Sequence, residues 1–186
     1  MRRCHYLIYR QLGGILVMLG LLTSPLASAV SVNDWLDEIH EGTSHTAAMG
    51  DCELENGELI QSCQLTFRTY GRLTTDFDNI VLMPTWLNGN AEGLATYNYL
   101  GPDGIVDTDD YFVIAVNALG NGISSSPSNS VQRPFPTFTI RDQVNLQYRL
   151  LTAYLGVEHL HAVVGASMGG YQTYEWLMTY PTFATH

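Results

Sequence analysis

The stretch from His161 to Pro181, HAVVGASMGGYQTYEWLMTYP, constrains this chain more than any other. His161 to Val164 is a short, largely apolar run ending in two β-branched residues, which predicts a buried strand. Gly165-Ala166-Ser167-Met168-Gly169 fits G-x-S-x-G, a sharp strand-to-helix turn. Gly170 follows. A helical pattern with Tyr174, Leu177 and Met178 on one face then runs on until Pro181 stops it. A serine hydroxyl is a weak nucleophile and must meet an external base with little steric cover. A tight turn pushes Ser167 out of the top of the sheet, and the flanking glycines remove side chains where strand and helix crowd together. The free N–H groups of the helix N-terminus favour a developing oxyanion at the same spot. The Met168 N–H is the predicted first oxyanion donor. As a bare pattern G-x-S-x-G is also a small-residue turn; the predicted strand and helix on either side assign Ser167 as the catalytic nucleophile.

The body of the chain is strongly acidic. The formal net charge is −10, with no lysine anywhere. Three of the eight arginines (Arg2, Arg3, Arg10) precede Ala29, and all 18 acidic residues follow it. Such a body repels nucleic acid and anionic membrane surfaces, so neither is an expected partner. Hydrophobic residues make up 46% of the 186, enough to bury a core and too many for a disordered chain.

Residues 1–29 read as a signal peptide. Arg2, Arg3 and Arg10 form a positive start, and Leu12 to Leu22 is apolar but too short to span a bilayer comfortably. Ala27-Ser28-Ala29 is an A-x-A cleavage site. Cleavage after Ala29 predicts a bacterial protein that is periplasmic or secreted, with no stable membrane insertion; an uncleaved N-terminal anchor is the alternative. Residues 30–186 then form the N-terminal part of one domain. Cys4 leaves with the leader. Cys52 and Cys63 remain as an even pair in an oxidising compartment, and a disulfide between them is expected. A hairpin turn on Asn56-Gly57 sets Cys52 opposite Gln61, with Cys63 a diagonal neighbour; a turn on Gly57-Glu58 pairs the cysteines directly. Their spacing lacks the close Cys or His pairs of zinc sites, so no metal is expected. Gly165 to Gly170 lacks G-x-G-x-x-G spacing, so no dinucleotide cofactor is expected either.

Val30 to Gly50 reads as a lead-in, with Trp35, Leu36 and Ile39 on a helical turn and His40 and His45 in a surface loop. Cys52 to Tyr70 reads as a hairpin. Ile80 to Met83 and Tyr111 to Val116 are wholly apolar runs, as expected of buried parallel strands. Each runs into a loop at its C-terminal end, Pro84 to Asn90 and Asn117 to Ser130, where ligand sites of open α/β sheets gather. Gly101-Pro102-Asp103-Gly104 is a turn. Thr139-Ile140-Arg141-Asp142 resembles a capping box, which assigns Asp142 to helix capping, and the helix is expected from Ile140 to Leu155 with Gly156 as its cap. His161 enters its strand at the end opposite Ser167, a poor place for a base. The order strand, loop, strand, helix, strand, turn, helix predicts an α/β fold with a mostly parallel sheet.

Several blocks together resemble one family. They are Leu65-Thr66-Phe67-Arg68-Thr69-Tyr70-Gly71; Asp107-Thr108 with Tyr111 to Ile114 and Asn117-Ala118-Leu119-Gly120; Thr139-Ile140-Arg141-Asp142; and Val163 to Gly170 through Glu175-Trp176. They are similar to the homoserine O-acetyltransferase branch of the α/β-hydrolase fold, from about Cys52 to Pro181. The resemblance implies Ser167 as nucleophile of a ping-pong acyl transfer through an acyl-serine. It implies oxyanion donors at Met168 and in the loop Thr85 to Gly89, with Leu87 N–H as the second. Thr85-Trp86-Leu87-Asn88-Gly89 stands where the family has a His-Ala-Leu-Thr-Gly-like loop. The order nucleophile, acid, histidine of this fold places the acid and the base after His186, outside this sequence. The sequence thus reads as a truncated piece.

Three functions follow. An exported esterase-type hydrolase acting on a small ester is favoured, because water is the acceptor at hand outside the cytoplasm. An acyltransferase on homoserine or a similar alcohol is the second. A non-catalytic remnant is the third. Oligomeric state stays open, a homodimer included.

Overall fold

A computed structural model describes residues 40–186. The predicted leader and the turn expected around Trp35, Leu36 and Ile39 lie outside the described residues. The chain opens with a hairpin of β1 (His45–Glu53) and β2 (Leu59–Tyr70). Strand β3 (Ile80–Pro84) and helix α1 (Ala91–Thr96) follow, then two short paired strands, β4 (Leu100–Gly101) and β5 (Val106–Asp107). Strand β6 (Phe112–Val116) leads to helix α2 (Ile140–Arg149), which runs on into a π-helical turn, Leu150–Tyr154. Strand β7 (Ala162–Val163) and helix α3 (Met168–Thr179) complete the order. The main sheet is ordered β1-β2-β6-β3-β7. Strand β2 pairs antiparallel with both β1 and β6, and β6, β3 and β7 are parallel. This is the expected α/β class, with the hairpin on one edge.

Side-chain alternation explains why the parallel strands read as continuous apolar runs. Ile80 and Leu82 of β3, with Phe112, Ile114 and Val116 of β6, face Val144, Leu150, Leu151 and Trp176 from α2, the π turn and α3. Val81, Met83, Val113 and Ala115 face the other way, under Ala91 and Leu94 of α1. A strand covered on both sides has no polar face to show. Each fully buried Leu or Ile contributes about 1.5–3 kcal/mol.

The two layers also set where a site can form. From β3 the chain turns towards α1 on one face of the sheet. From the neighbouring β7 it turns towards α3 on the opposite face. Adjacent strands whose connections diverge leave a crevice at their C-terminal ends. Both loops of interest, after β3 and after β7, border that crevice.

Several expectations shift. His45 does not lie in a loop: it begins β1, and its ring lies 5.5 Å from that of Phe67. The hairpin loop spans Leu54 to Glu58, closed by Leu54 N–H to Glu58 O at 2.9 Å. Cys52 therefore stands opposite Ile60, and Cys63 opposite Gly50, so neither expected register holds. Irregularities on both sides of Gly50 (φ +67°) turn both cysteines to the inner face. The expected helix Ile140 to Leu155 is α-helical only to Arg149. Leu155 N–H then reaches back five residues to Leu150 O, and this wider turn lets Leu150, Leu151 and Leu155 all bury. Thr139 caps α2 as expected. Its hydroxyl accepts from Asp142 N–H, and the Asp142 carboxylate accepts from Thr139 N–H, while its other oxygen accepts from Glu55 N–H of the hairpin loop.

Candidate active site

The turn after β7 has the geometry its spacing predicts. Ser167 sits at φ +55° and ψ −123°, a backbone conformation that side-chain-bearing residues rarely adopt. Such a position costs about 1–3 kcal/mol and persists only where the surroundings enforce it. The enforcement is visible in the glycines. A Cβ on Gly165 would overlap the Gly169 carbonyl, and a Cβ on Gly169 would lie 2.5 Å from the Pro84 carbonyl oxygen. Helix α3 thus presses backbone to backbone on the end of β3. Ser167 is exposed, and its hydroxyl does not cap the helix behind it. The Met168 N–H opens α3, where first-turn donors have no intrahelical acceptor.

The loop after β3 is held at its root and open at its tip. Thr85 is fully buried, and each of its polar groups is taken. Its N–H donates to Val116 O at 3.0 Å, and its hydroxyl accepts from Ala118 N–H at 3.0 Å. Its carbonyl accepts from Gln172 Nε2 at 3.1 Å. Thr85 N–H is therefore not available as an oxyanion donor. Leu87, the expected second donor, is 72% exposed at the tip, and its N–H has no acceptor among the described residues. Trp86 lies on the ring of Tyr99 (5.5 Å) and closes tightly on Gly89, where a Cβ would strike its indole. The loop after β6 forms the other wall. It is not loose: Asn117, Ser124 and Ser126 are buried, and Asn121 Nδ2 donates to Gly89 O at 3.2 Å.

Helix α3 corrects the sequence reading most. Tyr174, Leu177 and Met178 are exposed, and the buried residues are Gly169, Gln172 and Trp176. Trp176 Nε1–H donates to Gln147 Oε1 at 2.8 Å, and Gln147 Nε2 donates to Gln172 Oε1 at 2.5 Å. Burying these amides is tolerable because they satisfy one another. Gln172 escaped the sequence reading; its signal is helical spacing with Gly169 and Trp176.

The remaining expected residues sit apart from the crevice. Cys52 and Cys63 carry free thiols, both buried on the same sheet face. The Cys63 thiol donating to Cys52, together with the Arg149 guanidinium 3.7 Å away, pulls the Cys52 thiol below its ordinary pKa, while Cys63 is pushed up. His161 N–H bonds to Ile80 O at the start of β3, the end of the sheet opposite Ser167. Its ring lies 5.2 Å from that of His186. His159 shares a hydrogen bond with Thr185. Among the described residues no histidine bonds to Ser167. Arg141 of α2 pairs with Glu175 of α3 at 2.5 Å, and this bond holds the Glu175 carboxyl below the usual carboxylate range.

A model of the α/β-hydrolase fold matches residues 80–184, from the first strand of the crevice past the helix behind Ser167. This chain belongs to the α/β-hydrolase family. Within the family it is similar to a probable esterase of Corynebacterium glutamicum, 41% identical over 146 residues, covering 76% of this chain and 42% of that protein. It is similar to an ethyl acetate hydrolase of Pseudomonas veronii, at 39% over 156 residues (82% and 44%). It also resembles a homoserine O-acetyltransferase of Methanococcoides burtonii, at 35% over 158 residues (75% and 32%). A crystal structure of an acetylester hydrolase from Corynebacterium glutamicum superposes with a TM-score of 0.72 at 40% identity, over 77% of this chain and 42% of that one. The α/β-hydrolase chain described here spans less than half the length of these relatives.

Proposed function

We propose that this chain carries the nucleophile half of an exported serine esterase acting on small acyl esters. The observation that carries the reading is Ser167: an exposed hydroxyl on a strained turn, above an unpaired helix N-terminus. Ser167 Oγ attacks the ester carbonyl and gives its proton to a histidine expected downstream of His186. Met168 N–H and Leu87 N–H take the developing oxyanion. The alcohol leaves with the proton, and water then releases the acid from the acyl-serine. The kinship with named esterases supports hydrolysis over transfer, and so does the departure at Thr85-Trp86-Leu87-Asn88-Gly89. The 35% identity to a homoserine O-acetyltransferase supports the second reading, transfer to an amino-acid hydroxyl. Export rests on residues 1–29, and the Cys52–Cys63 disulfide is proposed for that compartment. No metal or cofactor enters the reaction.

The test uses the full-length gene product with p-nitrophenyl acetate. Intact mass should show one acetyl group on Ser167 during turnover, and Ser167→Ala should abolish both adduct and turnover. Adding homoserine should leave the product as acetate. Acetylhomoserine would favour transfer, and undiminished turnover in Ser167→Ala would overturn both readings.

A further inference from the structure

We infer that Gln172 is a positioning residue that sets the distance between the two halves of the oxyanion hole; this rests on the acyl-serine reading above. The first donor, Met168 N–H, belongs to α3. The second belongs to the loop after β3. These elements lie on opposite faces of the sheet, and little covalent chain fixes their relation: more than 80 residues separate Thr85 from Met168. Gln172 bridges them. It sits on α3 one turn after Met168, with its side chain fully buried, and its Nε2 donates to Thr85 O at 3.1 Å. That oxygen belongs to the last residue before the loop tip.

A lone glutamine would have two ways to place its amide, with only one aiming N–H at Thr85. The buried neighbours remove the choice. Trp176 Nε1 can only donate, so it fixes Gln147 Oε1 as the acceptor. Gln147 must then present Nε2 to Gln172, which fixes Gln172 Oε1 as acceptor and leaves Nε2 for Thr85. The indole thus dictates the direction of every bond in the relay. The contact of Gly169 with the Pro84 carbonyl fixes the same approach from the backbone side. Oxyanion donors act only if they stand ready before the charge develops, so the relay works on the transition state rather than on substrate binding.

The test compares variants of the full-length gene product. Gln172→Leu keeps the bulk and loses the side-chain bonds to Gln147, to Thr85 O and, at 3.4 Å, to Met168 O. It should lower kcat with acetate esters by roughly 10- to 100-fold, as expected for a displaced donor, with KM within about 2-fold. Affinity for a boronic acid that forms a tetrahedral adduct with serine should fall by a similar factor. Gln172→Glu still accepts from Gln147 but donates to Thr85 only when protonated. Its activity relative to the parent should therefore rise as the pH falls, a profile that a packing defect does not produce. Ile60→Val, in the distant hairpin, serves as a stability control and should leave kcat unchanged. If Gln172→Leu folds and keeps kcat and boronate affinity within 2-fold, the inference is wrong. If Gln172→Leu does not fold, Gln172→Glu decides, and a flat relative pH profile sinks it. Undiminished activity in Ser167→Ala would instead sink the acyl-serine reading.

Discussion

At the scale of single residues, Ser167 holds its conformation against its own preference. Ser167→Gly should end turnover and yet raise the unfolding free energy by about 1 kcal/mol, because glycine adopts positive φ freely. Urea denaturation would show it. His45 offers a pH prediction. Burial, aided by His40, pushes its pKa down, and its Nε2 is buried without a partner. The folded state thus disfavours the proton. The stability this group contributes is present above its ordinary pKa and is lost as pH falls through and below about 6.5. The apparent Tm should drop across that range, and His45→Phe should flatten the slope. Ser167 was legible because strand, glycines and helix all point to it within ten residues. Gln172 was not, because its meaning lies in Thr85 and Gln147, remote in sequence and joined to it only by folding.

At the scale of elements, the elbow and the hairpin carry separable predictions. Gly169→Ala forces a Cβ against a backbone carbonyl that cannot swing aside. It should cost about 1–3 kcal/mol, read by denaturant, and lower activity as well by spreading α3 from β3. In the hairpin, oxidation of the full-length gene product during folding should remove two hydrogens by mass and join Cys52 to Cys63. Closing so short a loop contributes about 3 kcal/mol on the chain-entropy account, and Cys63→Ala should lose that difference between oxidised and reduced samples. Strands β3 and β6 were legible as IVLM and FVIAV, since burial on both faces leaves an unbroken apolar run. The register of β1 against β2 was not, because it turns on an irregularity at Gly50 that no alternation reveals. The apolar face of α3 was misread for a similar reason. Periodicity counts Tyr174, Leu177 and Met178 as core, and cannot see that two glutamines and an indole satisfy each other inside.

For the whole molecule, the outward side of α3 is the exposed apolar surface that matters most. Tyr171, Tyr174, Leu177 and Met178 are 69%, 73%, 57% and 77% exposed along one helix. Contiguous apolar patches of this kind favour association. A polypeptide of residues 40–186 should therefore self-associate at micromolar concentration in light scattering, and Tyr174→Glu with Met178→Glu should return it to monomer. The parallel core and its crevice were legible from the order of apolar runs and loops. The layer assignment of each helix was not, since it depends on which face each connection takes.

The clamp on Thr85 has a consequence for variation. Its three polar groups are bound to β6, to the chain after β6 and to α3, so the backbone reaches the crevice at a fixed point whatever follows. Leu87 and Asn88, both exposed beyond the packed Trp86, then form an exchangeable cassette. Their side chains can be randomised to recruit new esters while the anchoring atoms stay in place, and a library confined to those two positions should retain the parental Tm far more often than one that includes Trp86 or Thr85.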